Sequence, residues 1–307
     1  MSGTKTKNSK TAISIIMIGF WPDYERQCFE AFTDKNIEIS IFDPRDIFKD
    51  KKYKSLVPRN IKNFLYKKKI KQIIGRNTES IFVFQDSRVF IEFLLSNTES
   101  RSHVLFRNTI SEENIPNIGR LKSHGHILWS FDKDDCSKYK IYHYNQFSKY
   151  IPGIDKIAIQ YDFSFIGRDK NRGNILNRIK KKLEDYGFSV YIKLITDKES
   201  TLPYMEYLKE SCRAKCFIDI TKEGQSGLTL RPIEAAYYNR KLLTNNKNIL
   251  NSELYNNNNV LLTDELKSAE SISSFLESNT ADVPERIMDA FNFDALVEKI
   301  SDHEAKN

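Results

Sequence analysis

Short, uninterrupted apolar runs alternate along this chain with stretches whose apolar positions recur every three or four residues. The first kind is how strands buried on both faces read, and the second is how the helices covering them read. Ala12–Ile18 predicts a strand, Glu25–Asp34 a helix, and Ile37–Phe42 a second strand closed by Asp43-Pro44. A helix over Ile61–Ile74, a strand over Ile81–Phe84, a helix over Val89–Leu95 and strands over His103–Phe106 and His126–Phe131 complete a first α/β series. After a weakly periodic, Tyr-rich stretch and the Ile151-Pro152-Gly153 turn, a second series begins. Its strands are expected at Asp162–Ile166, Ser189–Leu194, Lys215–Ile220, Lys241–Thr244 and Val260–Leu262, with helices at Asn174–Tyr186, Met205–Ser211 and Pro232–Asn239 between them. Two terminal helices follow, Ser271–Leu276 and Pro284–Ile300, the latter broken near Asn292.

The expected fold class is therefore α/β, with two domains facing across a cleft: residues 1–150, residues 151–283, and a C-terminal helix at 284–307 packing back on the first domain. At 307 residues the chain has room for both. The apolar run Ala12–Phe20 is too short to span a bilayer, and Trp21-Pro22-Asp23 stands where a signal peptide would carry small residues, so a cytoplasmic protein is expected. Cys28, Cys136, Cys212 and Cys216 form no C-x-x-C pair and read as free thiols.

Charge changes the picture only locally. Eleven of the 48 basic residues but only one of the 41 acids, Asp50, fall between Lys49 and Arg76, so that stretch carries +10 and the rest of the chain −3. Such a distribution excludes a protein that coats nucleic acid over its whole surface. In the basic helix, Phe64, Leu65, Ile70, Ile73 and Ile74 are available to the core, while Lys67, Lys68, Lys69 and Lys71 form a broad face for an anionic membrane or a phosphorylated lipid acceptor. A purely solvated lysine face and a nucleic-acid-binding module are the competing readings.

Two strand-to-helix turns carry the candidate chemistry. Lys222 to Glu234 holds Gly224 and Gly227, donors at Gln225, Ser226 and Thr229, a guanidinium fork at Arg231, and Glu234 on the first helical turn. Glycines let backbone N–H groups approach a ligand and a helix N-terminus favours anions, so a phosphate fits there; Pro232 and Glu234 also suit an ordinary helix start. The second turn, Gly167-Arg168-Asp169-Lys170-Asn171-Arg172-Gly173, brings three cations to the end of another strand, where they would close a diphosphate site from the other side.

The pattern Tyr-Asp-Phe-x-Phe-Ile-Gly-Arg-Asp-Lys-x-Arg at 161–172, Gln225-x-Gly227-Leu-Thr-x-Arg231-x-x-Glu234 and Lys241-Leu-Leu-Thr-Asn-Asn246 together resemble bacterial glycosyltransferases of lipopolysaccharide-core and surface-polysaccharide assembly. The resemblance extends back to Trp129-Ser-Phe-Asp-Lys-Asp-Asp135. It implies a GT-B architecture of two Rossmann-like domains, and an enzyme that moves a sugar from a nucleotide-sugar donor to a lipopolysaccharide-core, O-antigen or capsule acceptor. The nucleotide sugar is then a co-substrate, with no further cofactor. It also implies work as a peripheral protein on the inner face of the cytoplasmic membrane, with no nucleic-acid partner. Gly167, Arg168, Lys170, Gln225, Gly227, Thr229 and Arg231 map to the diphosphate side, and Glu234 to the acid holding ribose or donor-sugar hydroxyls. Position 242, where retaining members often carry a second Glu, is Leu, which favours inversion.

Inversion requires a general base on the acceptor hydroxyl. The candidates are carboxylates at strand ends of the first domain: Asp23, beside Trp21 whose flat face suits a sugar ring, and Asp86 in Phe84-Gln85-Asp86. Asp132-Lys133-Asp134 follows an apolar strand as the metal-binding acids of GT-A transferases do, but a helix cap is the alternative and no metal site is expected. His103, His124, His126 and His143 show no ligand spacing and read as structural or surface residues.

Overall fold

The computed structural model describes residues 13–20, 23–34, 36–48, 56–97, 101–195, 202–222 and 224–306. In chain order the first half comprises β1 (Ile13–Ile18), α1 (Asp23–Glu30), β2 (Ile37–Phe42), α2 (Arg59–Arg76), β3 (Ile81–Gln85), α3 (Arg88–Ser96), β4 (His103–Phe106), α4 (Ile115–Ser123), β5 (Ile127–Ser130), α5 (Lys133–Tyr139) and β6 (Tyr142–His143). The second half comprises β7 (Tyr161–Arg168), α6 (Gly173–Asp185), β8 (Val190–Ile195), α7 (Tyr204–Ser211), β9 (Ala214–Asp219), α8 (Leu230–Tyr237), β10 (Lys241–Thr244), β11 (Val260–Leu262), α9 (Ala269–Glu277), α10 (Glu285–Asp289) and α11 (Phe293–Ala305).

These elements build two wholly parallel sheets, ordered β2-β1-β3-β4-β5-β6 and β11-β10-β9-β7-β8. The central strands lack a polar face because helices cover both sides, whereas the edge strand β2 alternates, with Glu38 and Ser40 exposed. Ile15 and Met17 enter one core, whereas Ile16 and Ile18 enter the core on the opposite face. In the second sheet Phe217 and Leu242 pack on one side while Cys216, Ile218 and Leu243 pack on the other. The fold is two Rossmann-like domains, as the sequence pattern leads one to expect.

In each sheet the chain reverses its direction of growth at one point, between β1 and β3 in the first and between β7 and β9 in the second. Loops leaving neighbouring strands on opposite faces open a crevice at such a point. The turns after β7 and β9 are therefore neighbours, although more than fifty residues separate them.

Helix α10 belongs to the second domain, since Met288 and Phe291 sit in its core. Two residues later the chain has crossed back: Phe293, Leu296, Val297 and Ile300 of α11 join the core of the first domain, with the Phe293 ring 4.4 Å from that of Phe29. The i, i+3, i+4, i+7 spacing of these four residues is one helix face.

Helices α4 and α5 and the short β6 have no counterpart in the sequence expectations. Helix α4 carries Pro116 in its first turn and Gly119 within it, poor helix signals in the sequence. Helix α5 buries no residue and therefore has no periodic signal. A second difference concerns α2: Ile70 is fully buried, but Phe64, expected in the core, is 64% exposed. All four cysteines are free thiols. Among the described residues no helix is long and apolar enough to cross a membrane.

Candidate functional site

A cavity of about 1190 Å³ opens between the domains, at the carboxyl ends of both sheets. Its second-domain wall is made from the two predicted turns. Gly167, Arg168, Lys170 and Arg172 come from the first, and Lys222, Gln225, Thr229, Arg231 and Glu234 from the second. Among the described residues six basic side chains line the cavity against two acidic ones, Asp23 and Glu234. The space is therefore suited to an anion.

The turn after β7 is held in an uncommon shape. Lys170 and Asn171 both have left-handed backbones, φ 45° and 64°, which cost a non-glycine residue about 1 kcal/mol each. The Asp169 carboxylate stabilises the bend by accepting from the amides of Arg172 and Gly173 at 2.8 and 2.6 Å. Arg172 is consumed structurally, donating to the carbonyls of Ile220, Arg168 and Asp169. Lys170 remains at the cavity mouth. Desolvation there and the nearby cations Arg172, Lys222, Arg231 and Arg168 push its pKa below the ordinary lysine value.

Arg231 sits deeper. Its Nη2 donates to the Ile166 carbonyl at 2.6 Å, Nη1 lies 3.6 Å from Asp219, and the guanidinium covers the Phe165 ring at 4.5 Å. Gly167 is a glycine for this reason, because a Cβ there would approach Arg231 Nη2 to 2.7 Å. Thr229 caps α8, accepting from the Arg231 amide, and donates to Asp219 at 2.9 Å. The side chain of Gln225 donates to the Gly227 carbonyl.

Glu234 borders the cavity yet is fully buried. Tyr204 and Tyr207 donate their hydroxyls to its two oxygens at 3.0 and 2.7 Å. Burial raises its pKa against the opposing effects of Tyr207, Arg231 and Tyr204. A ribose or sugar hydroxyl reaches this carboxylate only by displacing a tyrosine. Neither tyrosine was singled out in the sequence, because nothing in the spacing of α7 points across to α8.

Gly227 does not line the cavity. It faces the first domain, where an added Cβ would lie 2.6 Å from the Phe131 ring and 2.8 Å from the Phe131 carbonyl. There the Asp132 carboxylate caps α5 through the amides of Asp134 and Asp135, and also accepts from Ser226 Oγ, the Ser226 amide and the Gly227 amide at 2.7, 2.7 and 2.8 Å. Five donors occupy both oxygens of a side chain that is 1% exposed. Burial would raise the Asp132 pKa, but bonds from Gly227, Ser226 and Asp135 hold it below the usual aspartate value. The Asp132-Lys133-Asp134 segment is a helix start and a domain contact, and its buried carboxylate has no oxygen left to offer a metal.

The first-domain wall includes Asp23, Tyr24, Arg107, Asn108 and Gln146. Of the two candidate bases, Asp23 is exposed at the start of α1 and lines the cavity, whereas Asp86 does not. Desolvation raises the Asp86 pKa while Arg107 lowers it. Arg107 itself donates to Glu25 at 2.5 Å and to Gln85, so its charge is matched inside the domain. Glu25, missed in the sequence, is 1% exposed and also accepts from Tyr24. Trp21 lies outside the described residues. Lys67 does not join the open lysine face, because it pairs with Glu92 at 3.1 Å. Lys68 and Lys71 are exposed, and with Lys69 Lys68 borders a shallow depression beside α2.

Away from the cavity, His103, His303 and Glu304 bring ligand-type atoms within 4.8 Å of one another. His103 Nδ1 accepts from the Trp129 indole at 2.9 Å, which leaves the ring proton on Nε2, facing Glu304 at 2.8 Å. These bonds tie α11 to β4, consistent with a structural histidine.

Solved structures share this architecture. The UDP-GlcNAc 2-epimerase from Methanocaldococcus jannaschii aligns over 96% of this chain and 100% of its own, with a TM-score of 0.55 and 13% identity. The fold is GT-B. An α-glucosyltransferase in complex with UDP and a 13-mer DNA aligns over 94% of this chain and 99% of its own, with a TM-score of 0.56 and 10% identity. The Anabaena protein HepE in complex with UDP-glucose aligns over 96% and 100%, with a TM-score of 0.52 and 9% identity. No family model matches the sequence, and no curated protein matches it. At such identities GT-B describes the arrangement of the domains, and the reaction has to be argued from the cavity itself.

Proposed function

We propose that this protein is a nucleotide-sugar-dependent glycosyltransferase whose donor diphosphate lies against the turns after β7 and β9. The observation that carries the reading is the cluster of Arg168, Lys170, Lys222 and Arg231 in an interdomain cavity with few acids. Lining cations at a developing phosphate stabilise the departing nucleotide, and this requires no covalent intermediate. Asp23, exposed on the opposite wall, takes the proton from the acceptor hydroxyl; that oxygen attacks the anomeric carbon, and the bond to the donor phosphate breaks with inversion. The carboxylate of Asp132 is committed to the domain contact, which favours a metal-independent reaction. Residue patterns at 161–172 and 225–234 support a bacterial cell-surface glycan or glycolipid acceptor, such as lipopolysaccharide core, O-antigen or capsule.

Thermal-shift measurements with UDP-, GDP-, dTDP-, ADP- and CMP-linked sugars test the donor. A ligand at a hundred times its Kd stabilises by about 2.7 kcal/mol, a shift of a few degrees. One nucleotide class should produce it, and no shift with any would sink the assignment. The fold likeness to UDP-GlcNAc 2-epimerases makes epimerisation the second reading. Incubation with UDP-GlcNAc and no acceptor separates the two, since only an epimerase converts the sugar to another UDP-linked isomer.

A further inference from the structure

The turn after β9 is gripped from both domains at one dipeptide. From the second domain, the Asn246 side-chain amide donates to the carbonyls of Ser226 and Gly227 at 3.4 and 3.3 Å. From the first, the Asp132 carboxylate takes the backbone amides of the same two residues and the Ser226 hydroxyl. Ser226 Oγ in turn accepts from the Asp134 amide at 3.2 Å, so the hydroxyl also joins the first turn of α5. Asp132, Ser226 and Asn246 are all buried.

This clasp lies outside the cavity, but the residues that flank it do not. Lys222 and Gln225 precede the dipeptide, Thr229 and Arg231 follow it, and all four line the cationic wall. Backbone amides at a glycine turn form a ready anion nest, and here the anion they hold is the protein's own carboxylate. A diphosphate is therefore left to the side chains, whose placement depends on where the clasp sets the backbone. Without the carboxylate, two amides and a hydroxyl would be buried with no acceptor, and the turn would have to shift to find one. A misplacement of about 1 Å, caused by a substitution remote from the ligand, can cost about a hundredfold.

We infer that Asp132 and Ser226 are positioning residues for the cationic wall: a first-domain carboxylate sets the second-domain turn and so couples the domain contact to the binding of a diphosphate. The coupling rests on the donor assignment above for the identity of that ligand. Linkage makes it reciprocal, so a diphosphate that orders the turn also tightens α5 of the other domain.

Titration calorimetry with inorganic pyrophosphate, well below the melting temperature of each variant, provides the test. Ser226→Ala removes one hydroxyl and leaves both amide bonds to Asp132; it should weaken pyrophosphate binding roughly fivefold, and Asp132→Asn roughly thirtyfold. Wild-type protein supplies a second readout that a merely structural contact would not move. Hydrogen exchange at the Asp134 and Asp135 amides, which donate to Asp132, should slow on adding pyrophosphate, and the slowing should vanish in Ser226→Ala. Wild-type protein that binds no pyrophosphate would refute the donor assignment and the coupling together. Unchanged affinity in either variant, or exchange at Asp134 and Asp135 indifferent to pyrophosphate, would overturn the coupling alone.

Discussion

The two walls of the interdomain cavity handle charge in opposite ways. On the first-domain side Arg107 is matched by Glu25 within the domain, and Asp86 lies near it, so the wall is electrically self-contained except for exposed Asp23. On the second-domain side Lys170 is depressed by desolvation and by four other cations. Like charges that repel one another there would be relieved by a bound anion. In the proposed reaction the second wall would provide affinity and the first chemistry.

The largest expected effect tests that division directly. Asp23→Asn should lower kcat by roughly 10²- to 10⁴-fold, the range for a general base, while donor affinity from calorimetry stays constant. An equal loss in both would mean that the first wall also binds donor. Next, Arg231→Ala should abolish donor binding and also destabilise the second domain by about 3 kcal/mol, because buried Asp219 loses its cation. Thermal melts and nucleotide titrations read the two effects separately, and intact donor affinity would move the diphosphate away from this wall.

Asp132→Ala should cost about 2 kcal/mol and split the calorimetric unfolding transition, since five hydrogen bonds between and within the domains disappear together. The folded-state pKa of Asp132 is depressed, so its stabilisation is complete above the ordinary aspartate value of 3.8 and is lost as pH falls through the lower folded value. The gap between variant and wild-type melting temperatures should therefore close on acidification below 3.8. A gap independent of pH would assign the stabilisation to packing. The smallest effect is expected for Lys170→Ala, roughly tenfold in donor affinity with no loss of stability, because removing this charge also relieves its repulsion by Arg172, Lys222, Arg231 and Arg168.

Parallel strands were legible because burial on both faces leaves a continuous apolar run. The expected ends of β2, β4, β10 and β11 match the observed ones. The two turns were legible because glycine, cations and a following helix coincide. What those glycines do was not: Gly167 makes room for Arg231, and Gly227 makes room for Phe131 of the other domain. Both are long-range contacts without a local trace. Phe64 illustrates a different limit. Apolar residues surround α2, so periodicity alone did not separate Ile70 in the core from Phe64 in solvent. Glu25 was hidden by its proximity to Asp23, two residues earlier on the same helix, with only the later carboxylate turned inward.

Helix α11 makes the order of synthesis matter. The core of the first domain includes Phe293, Leu296, Val297 and Ile300, so that core stays incomplete until residues 293–300 have left the ribosome. By then the second domain has all of its strands and most of its helices. The half of the protein that is translated first is therefore finished last, and its apolar face beside Phe29 waits exposed through the whole of elongation. An interval during translation in which that face is open to aggregation is the expected consequence of that single returning helix.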